Sequence, residues 1–467
     1  MKKSIKNSRR EFLSRVTLGA AALSMPGILR ASGKNTQIID LADRDYPAKK
    51  YSANDKIRLA TIGFGIQGNG DTSVAAQVDG VEVVAVCDLY NGRLDRAKEL
   101  YGKDIFVTRD YREILSKKEI DAVIIAVPDH WHQRIGIDAM NAGKAVYLEK
   151  PMVKKVEDGQ AVITAEKNNK AVLQIGSQGI SSLEEEKARQ LYLDGTIGEL
   201  IMVEIFNDRY SSEGAWQYPI PSDANPTNID FDRFLGSAPR VPFDPIRFFR
   251  WRNYQDYGTG VAGDLFVHSF TSLHFVIDSM GPVRAMSTGG TRFWKDGRDV
   301  PDIMLALYDF PEAKTHPAFN AMLRINFTAG NGEGGGFRLI GSEGELSLDW
   351  NGIAVRKHKM GLKPNGYSLK AYTSAIQKEI TAEFDQKYGE EDRQMDPPAE
   401  VIYKSPEGYK GGDYDHMVKF FNAVRGNNNI IENATYGLRA AGAALLSNYS
   451  YFENRIVHWD PVNMKLS

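Results

Sequence analysis

Cysteine is almost absent from this chain of 467 residues, which contains only Cys87. A lone thiol excludes an intrachain disulfide, so we expect the core alone to stabilise the fold. Charge of one sign is also lacking: the formal net charge is −2, whereas a nucleic-acid-binding protein needs a basic face. No apolar run approaches the roughly 20 residues of a spanning helix. These absences predict a globular protein with no nucleic-acid partner and no membrane span.

Residues 1–33 have the pattern of an export signal. Arg9 and Arg10 precede a weakly apolar stretch from Val16 to Leu29. This pattern resembles a twin-arginine translocation signal, which predicts a periplasmic protein that is exported already folded. Whether the segment is cleaved stays open. Residues 34–54 are polar and irregular, and we interpret them as a leader arm.

A strand followed by a glycine-rich turn begins the next segment. The apolar segment Ile57–Ile62 runs directly into a G-x-G-x-x-G pattern. In such a turn the first glycine permits the sharp bend, the second lets backbone N–H groups approach a pyrophosphate, and the third lets helix and strand pack closely. The residues of the turn that we assign to cofactor binding are Gly63, Phe64, Gly65, Gln67 and Gly68.

A carboxylate stands where a dinucleotide-binding fold needs one. Asp88 follows the apolar strand Val81–Cys87 and lies 20 residues after Gly68. An acidic side chain at that spacing accepts hydrogen bonds from the ribose hydroxyls and repels a 2′-phosphate, which favours NAD over NADP. Arg93 follows closely in the sequence and would soften this preference.

Apolar strands and helical segments alternate up to about residue 178. The strand at residues 122–127 is almost continuously apolar, as expected in a parallel sheet covered on both faces. The predicted fold class is therefore α/β, with a doubly wound, parallel Rossmann sheet over residues 55–178. The other expected elements are helices at 93–100, 111–115, 133–142 and 156–168, and strands at 105–107, 145–148 and 172–175.

Three further motifs carry a family resemblance. P-D-H-W-H begins at Pro128 after one strand, E-K-P begins at Glu149 after the next, and G-T-I-G begins at Gly195. Together they resemble the glucose–fructose oxidoreductase/inositol dehydrogenase (Gfo/Idh/MocA) family, and with the N-terminal pattern its exported branch. The resemblance implies that residues 179–467 form an α+β domain with an open-faced, mostly antiparallel sheet. It also implies a homodimer or homotetramer packed through that sheet.

The second half of the sequence fits that expectation. Strands are predicted at 200–207, 283–288, 304–308, 321–327, 336–340 and 344–348, and closing helices at 415–424 and 434–451. The polar stretch 357–410 has little periodicity, so we interpret it as a long surface insertion.

The resemblance also implies which residues meet the nicotinamide. Pro128, Trp131 and His132 would flank it, and Glu149 and Lys150 would lie at the mouth of the following strand. Trp131 fits equally well as a buried packing aromatic. The Lys150-Pro151 bond is a candidate cis peptide.

Lys150, Asp264 and His268 are the expected catalytic residues. Lys150 matches the active-site lysine of the family, and Asp264 and His268 match its Asp-x-x-x-His pair, a spacing that places both on one helix face. His268 is interpreted as the general base, Asp264 as the group that orients it or binds a neighbouring substrate hydroxyl, and Lys150 as the donor to the reacting oxygen. A variant in which Lys150 is the base stays open.

The same residues admit two other interpretations. Asp264 and His268 are also consistent with a structural hydrogen bond, or with a metal pair completed by His274, but no third ligand has clear spacing and no metal is expected. The segment 250–257 mixes aromatic rings with hydrogen-bond donors, as sugar sites do. Its expected substrate-binding residues are Arg252, Tyr254 and Tyr257. Thr271 replaces a second carboxylate that the family usually carries.

The sequence therefore predicts an NAD-dependent oxidoreductase that acts on a secondary hydroxyl of a sugar or glycoside. Because a periplasmic enzyme has no free NAD pool, the cofactor would stay bound and be reset by a second sugar in ping-pong fashion. Oxidation at C3 is the favoured instance. The alternatives are a redox-neutral, NAD-dependent glycosidase and a non-catalytic sugar-binding protein.

Overall fold

The computed structural model describes residues 36–44, 46, 51–52, 55–328, 333–349, 352–357, 367–389 and 399–467. The expected signal segment, residues 1–33, lies outside the described residues. The strands are β1 (Thr36–Asp40), β2 (Ile57–Ile62), β3 (Val81–Cys87), β4 (Phe106–Thr108), β5 (Ala122–Ile125), β6 (Ala145–Glu149), β7 (Leu173–Gly176), β8 (Leu200–Asp208), β9 (Arg284–Gly290), β10 (Ile303–Phe310), β11 (Phe319–Asn326), β12 (Gly334–Gly341), β13 (Gly344–Asp349), β14 (Gly352–Lys357), β15 (Ala399–Lys404), β16 (Val457–Asp460) and β17 (Lys465–Leu466).

Twelve α-helices are found in the described part of the chain. They are α1 (Ile66–Ala75), α2 (Asn91–Tyr101), α3 (Tyr111–Ser116), α4 (His132–Asn141), α5 (Gly159–Asn169), α6 (Leu183–Leu193), α7 (Phe231–Leu235), α8 (Pro245–Phe249), α9 (Val267–Ile277), α10 (Ser374–Lys387), α11 (Gly412–Val424) and α12 (Ala434–Glu453). Among the described residues, no helix is both long enough and apolar enough to cross a membrane.

The first domain is built on a six-stranded parallel sheet. Its order is β4-β3-β2-β5-β6-β7, which is the order of dinucleotide-binding sheets. All four residues of β5 are buried, because helices cover both faces of the sheet. The predicted doubly wound parallel sheet is confirmed. The carboxyl ends of β2, β5 and β6 lie side by side, so the residues that follow these strands share one cleft.

The second domain is built on an eleven-stranded sheet, ordered β1-β15-β14-β13-β12-β8-β11-β10-β9-β16-β17. Most neighbours pair antiparallel, and the β8–β11 and β1–β15 pairs are parallel. One face packs on α9 and α12, while β10 and β11 alternate buried and open residues along their length. The predicted open-faced, mostly antiparallel sheet is confirmed.

The leader arm and the polar insertion contain more structure than the sequence indicated. β1 lies in the expected irregular arm and pairs in parallel with β15, which lies in the expected surface insertion. The insertion also contains α10. Both interpretations were therefore wrong in these parts. The physical reason is that β1 and α10 bury little of their surface, so neither shows a clear apolar period.

The predicted boundary at residue 178 assigns α11 to the wrong unit. Tyr414, Met417 and Phe421 on this helix pack against Leu59 and Ile124 of the parallel sheet. An amphipathic pattern shows that a helix covers something, but not which sheet it covers. The chain thus returns to the first domain after completing the second, and one helix from residues 412–424 closes a face of the dinucleotide-binding sheet.

Candidate functional site

The turn after β2 has two positions that no side chain fits. Gly63 has a φ of 89°, and a Cβ there would overlap the carbonyl oxygen of Ala126. A Cβ at Gly68 would overlap the carbonyl oxygen of Gly63, so α1 packs on the turn only because residue 68 lacks a side chain. Gly65 is roomier, since its Cβ would lie 3.5 Å from the Arg93 guanidinium. The turn therefore presents backbone to the cleft.

The first turn of α1 suits an anion. Gly65 precedes the helix and makes no side-chain capping bond, so no side chain caps the N–H groups of the first turn. These groups and the helix dipole fit a pyrophosphate. Gly65 and Gln67 line the cleft, whereas Phe64 points into the apolar core and only its N–H reaches the Asp88 carboxylate. The residues present fit the expected dinucleotide.

Asp88 lies in the cleft but is already bound. Its Oδ2 accepts a hydrogen bond from the Phe64 N–H at 2.8 Å, and its Oδ1 accepts one from the Tyr90 N–H at 2.9 Å. The Arg93 guanidinium lies 3.4 Å from Oδ2 and packs over the ring of Phe249. This places a cation beside the carboxylate, as the sequence position of Arg93 suggested. Arg93 Nη1 also donates to both oxygens at 3.4 and 3.5 Å, so a ribose hydroxyl would take the place of these long bonds.

The loop after β5 forms one wall of the cleft. Pro128, Trp131 and His132 all line it. The Trp131 indole N–H donates to the Phe234 carbonyl at 2.9 Å, so this ring has both the packing role and the cleft position that the sequence left open. The two ring nitrogens of His132 lie 2.7 and 2.8 Å from the carbonyl oxygens of Pro151 and Val127. His132 therefore joins this loop to the one after β6.

Lys150 lies where the cleft meets a second cavity and lines both. Its Nζ donates to the Asp264 carbonyl at 3.0 Å and to Asp264 Oδ1 at 3.1 Å. Arg252 Nε donates to the same Oδ1 at 3.2 Å. Although burial opposes ionisation, the charges of Lys150 and Arg252 hold the pKa of Asp264 well below its usual range. The Lys150-Pro151 peptide bond is cis, as expected.

The Asp264–His268 pair is not the simple helical pair that the spacing predicted. Residues 262–266 form a π-helical turn, and the α-helix begins only at Val267. Asp264 is bound by Lys150 and Arg252, and in the described part of the chain it makes no hydrogen bond to His268. The extra residue of the π turn changes the relative direction of the two side chains. The expected orienting bond to His268 is therefore absent, which corrects that expectation.

His268 faces the second cavity with its ring unprotonated. Burial and the positive charge of Lys150 lower the pKa of His268 to about 3. A neutral imidazole has a free lone pair that can accept a proton, although the lowered pKa also makes it a weaker base than an ordinary histidine. His268 is thus a neutral hydrogen-bond acceptor, whereas Lys150 is a hydrogen-bond donor in an ion pair with Asp264.

The metal interpretation finds no support in the geometry. His274 is buried between the rings of Phe270 and Phe310. Across the described ranges, no group of three histidine, cysteine, aspartate or glutamate side chains is arranged to hold a metal ion. His274 therefore belongs to the packing of α9 against the sheet.

The second cavity has a volume of about 710 Å³, and its lining is divided about equally between polar and apolar surface. The loop that follows β8 supplies three lining residues that the sequence did not single out: Arg209, Trp216 and Tyr218. Their only sequence signal is an aromatic and basic segment directly after a central strand. The cavity also reaches Tyr409, which lies beyond β15 and is far from these three residues in sequence.

The 209–218 loop is held in an unusual conformation. Trp216 has a φ of 66°, a left-handed value that is strained for a bulky residue. The Arg298 guanidinium donates to the Ala215 carbonyl at 2.7 Å, and Arg250 donates to the Tyr218 carbonyl at 2.8 Å. Such strain persists only where the surroundings enforce it and is common at ligand sites.

Of the three expected substrate residues, only Arg252 lines the cavities. Tyr254 and Tyr257 are buried in an aromatic cluster, where the Tyr257 ring lies 4.7 Å from that of Phe234 and Arg247 packs over Tyr254. Their assignment to substrate binding is therefore corrected. The segment has the composition of a sugar site because its rings support the loop from behind, and composition does not reveal which way a ring points.

Several buried carboxyl groups lie around the second cavity. Glu149 is fully enclosed and accepts a bond from Gln178 at 2.9 Å, and burial raises its pKa to about 7. Burial likewise raises the pKa of Glu185 to about 7, with Ser272 as its hydrogen-bond partner. The sequence predicted Glu149 but not Glu185, which stands in an ordinary charged helix pattern. Both groups are partly protonated near neutral pH.

Residues 57–177 match the Gfo/Idh/MocA family model, which is described as an oxidoreductase family with an NAD-binding Rossmann fold. The match covers the part of the chain that forms the parallel sheet. The chain is 32% identical over 167 residues to inositol 2-dehydrogenase of Salmonella typhimurium, a match that covers 35% of this chain and 49% of that protein. It is also 32% identical over 170 residues to an α-N-acetylgalactosaminidase of Shewanella oneidensis, with coverage of 34% and 36%. The chain thus spans half or less of these relatives.

Solved structures share the fold of both domains. An aldose-aldose oxidoreductase from Caulobacter crescentus, complexed with glycerol, has a TM-score of 0.60 at 18% identity and covers 86% of this chain and 99% of its own. A levoglucosan dehydrogenase in complex with NADH and levoglucosan has a TM-score of 0.61 at 15% identity, with the same coverage. At these identities the likeness establishes the architecture, and the chemistry must be argued from the site.

Proposed function

We propose that this protein is an NAD-dependent oxidoreductase that acts on a secondary hydroxyl of a sugar or glycoside. The observation that carries the proposal is the position of Lys150, at the boundary between the dinucleotide cleft and a polar cavity, bound to Asp264 and near the neutral His268. Hydride transfer from a carbinol carbon requires an acceptor for the hydroxyl proton and a donor for the developing oxyanion. His268 and Lys150 provide one of each.

The proposed division of labour follows from the charges. The His268 imidazole accepts the hydroxyl proton, and the Lys150 ammonium donates a hydrogen bond to the oxygen as negative charge builds on it. Asp264 holds Lys150 in place and compensates the charges of Lys150 and Arg252. Bound NAD would accept the hydride. Lys150 as the base is less favoured, because its Nζ already donates to the carbonyl oxygen and to Oδ1 of Asp264.

The finer parts of the proposal rest on the N-terminal pattern and on the relatives. If residues 1–33 direct export, the protein works in the periplasm, where oxidised and reduced cofactor must be regenerated in place. Alternating oxidation of one sugar and reduction of another satisfies this requirement, and one fold neighbour is an aldose-aldose oxidoreductase. Oxidation at C3 of a glycoside is the favoured instance because a 3-ketone acidifies the adjacent C–H bond.

A redox-neutral glycosidase is the second candidate. The match to an α-N-acetylgalactosaminidase over the cofactor domain favours it. Such an enzyme releases a free sugar with no net ketone, whereas the oxidoreductase accumulates a keto sugar and needs a second substrate to turn over. Product analysis by mass spectrometry separates the two.

The test begins with the nucleotide that co-purifies with the protein. We expect bound NAD, reduction of it at 340 nm by a sugar from a panel of glycosides, and parallel-line kinetics with two sugars. Lys150→Met should abolish reduction, with Lys155→Met as the matched control on the following loop. Strict dependence on added NAD would contradict cofactor retention. Full sugar binding without any reduction would instead support the non-catalytic alternative.

A further inference from the structure

Arg209 is a cation without a partner in the substrate cavity. It follows β8, a central strand of the large sheet, and its side chain lines the cavity beside His268 and Tyr218. Arginines elsewhere on the same sheet are paired: Arg324 with Asp208, and Arg338 with Glu204. Among the residues that the structure describes, no carboxylate lies within ion-pair distance of Arg209 and no hydrogen bond is made by its guanidinium.

The neighbouring charges do not supply the missing partner. Lys150 and Arg252 already share Asp264, so this carboxylate is committed. The charge of Arg209 contributes to a lowered pKa of Glu333, but Glu333 Oε1 accepts hydrogen bonds from the Tyr210 N–H at 3.1 Å and from the Ser211 hydroxyl and forms no ion pair with Arg209. When a ligand displaces water from an unpaired guanidinium, the loss of hydration costs free energy unless the ligand supplies an anion.

The guanidinium also has a defined chemical preference. Its planar fork of N–H donors matches the two oxygens of a carboxylate, and such bidentate pairs are stronger than neutral hydrogen bonds. Tyr218 presents an aromatic side chain on the same loop, and Asn207 and Gln178 add amide groups to the cavity wall. The wall therefore combines an anion receptor with the mixed surface that a sugar ring requires.

Resting on the proposed function, we infer that the substrate is an acidic sugar whose carboxylate is bound by Arg209 while a ring hydroxyl lies at His268 and Lys150. The Arg209 loop would then select uronic acids or their glycosides over neutral sugars. Because Arg209 and His268 line the same cavity, the inference places the carboxylate and the reacting hydroxyl on the same sugar residue.

The test compares a uronic acid glycoside with its neutral parent and with a sulfate ester of that parent. For the wild type we expect kcat/KM to be at least about 10-fold higher for the uronic acid, and Arg209→Gln to lower that ratio roughly 10- to 100-fold. Arg209→Lys should be intermediate, since it keeps the charge but loses the fork. Arg240→Gln, whose side chain is 65% exposed, is the matched control.

Binding is measured separately from turnover. Calorimetry uses protein whose cofactor has been reduced beforehand, so that the acid sugar binds without being oxidised, and we expect Arg209→Gln to weaken its binding by a similar factor. Oxidation of neutral and acidic sugars at equal rates would overturn the inference while leaving the proposed function intact, and a preference for the sulfate ester would overturn the carboxylate assignment. Arg209-dependent binding with no reduction by any sugar would overturn the proposed function and keep the inference.

Discussion

At the residue scale, one carboxylate organises the charges of the site. Asp264 Oδ1 lies 3.1 Å from Lys150 Nζ and 3.2 Å from Arg252 Nε, and all three side chains border the cavity. Replacing the carboxylate leaves two cations facing each other with nothing between them. Because Lys150 comes from the first domain and Asp264 from the second, this pair also sets how the lysine is aimed across the domain boundary.

Asp264→Asn should therefore impair chemistry more than binding. The amide keeps the shape but cannot compensate two positive charges, so Lys150 loses its fixed position and kcat should fall by about 100-fold. Steady-state kinetics with the best sugar of the panel measures this. Asp232→Asn, at a carboxylate that is 93% exposed, should leave kcat unchanged. An Asp264→Asn variant with full kcat would show that Lys150 needs no anchor.

The glycine turn offers a sharper comparison, because two glycines of the same helix differ completely in their surroundings. A Cβ at Gly68 would overlap the Gly63 carbonyl oxygen, whereas one at Gly70 meets nothing within 4 Å. Gly68→Ala should abolish nucleotide retention and lower the free energy of unfolding by more than about 2 kcal/mol. Gly70→Ala should raise it by about 0.5–1 kcal/mol. Equal behaviour of the two variants in thermal unfolding and nucleotide analysis would contradict this reading of the turn.

At the element scale, the strands that could be predicted are those with a clear apolar pattern, either nearly continuous in the parallel sheet or alternating in the large sheet. β2, β3 and β5 are near-continuous apolar runs, and the glycine motif and Asp88 follow from their ends. β1 could not be predicted, because this edge strand buries little and shows no clear alternation, and β15 was missed because it is a short strand within a long polar segment. The π turn at 262–266 was hidden by the i,i+4 spacing of Asp264 and His268, which suits an α-helix equally well.

The substrate loop shows a different reason for failure. Arg209 and Trp216 acquire their positions through contacts with distant segments, such as the bond from Arg298 to the Ala215 carbonyl. No local pattern encodes a contact between residues 83 positions apart. Conversely, the aromatic segment at 250–257 was assigned to substrate because its composition is right, although Tyr254 and Tyr257 face the core. Composition identified the neighbourhood of the site but not the direction of the side chains.

α6 carries a pH-dependent contribution to stability. Burial raises the pKa of Glu185 from 4.5 to about 7, so the folded state binds a proton that the unfolded state releases between these values. The stabilisation of the folded state by this proton is fully present below pH 4.5 and is lost as the pH rises through 7. Glu185→Gln removes this titrating group. The free energy of unfolding of the variant relative to wild type should therefore be higher at pH 8 than at pH 5, by up to about 3 kcal/mol.

Urea unfolding of wild type and Glu185→Gln at both pH values measures the difference, and Glu199→Gln, at an exposed glutamate, serves as the control. A variant whose stability relative to wild type is the same at pH 5 and pH 8 would show that Glu185 is ionised in the folded protein throughout this range.

At the scale of the whole molecule, the two domains are tied together by segments that cross between them. α11 returns to cover the parallel sheet, and Arg44 of the leader arm pairs with Glu186 and Asp415 near the wall of the substrate cavity. The first domain contributes Lys150 to the site, and the second domain contributes His268. The relative position of these two catalytic groups therefore depends on contacts between segments that are far apart in the sequence.

The outer face of the large sheet leads to the last prediction. Met286, Leu305, Leu307 and Met322 lie on neighbouring strands β9, β10 and β11, and between 37% and 50% of each residue is exposed. A contiguous apolar patch on a sheet is typical of an interface. We expect a homodimer or homotetramer packed through this face. Leu307→Lys places a charge in the middle of the patch and should shift the mass measured by light scattering towards the monomer.

Leu193→Lys is the matched control, because Leu193 is equally exposed but lies at the end of α6, on a different element. Its mass should equal that of the wild type. The catalytic groups are at the opposite side of the sheet from the patch, since α9 and the π turn pack on the inner face. Leu307→Lys should therefore retain sugar-dependent cofactor reduction as a monomer. A wild type that is monomeric at micromolar concentration, or an unchanged mass in Leu307→Lys, would contradict association through this face.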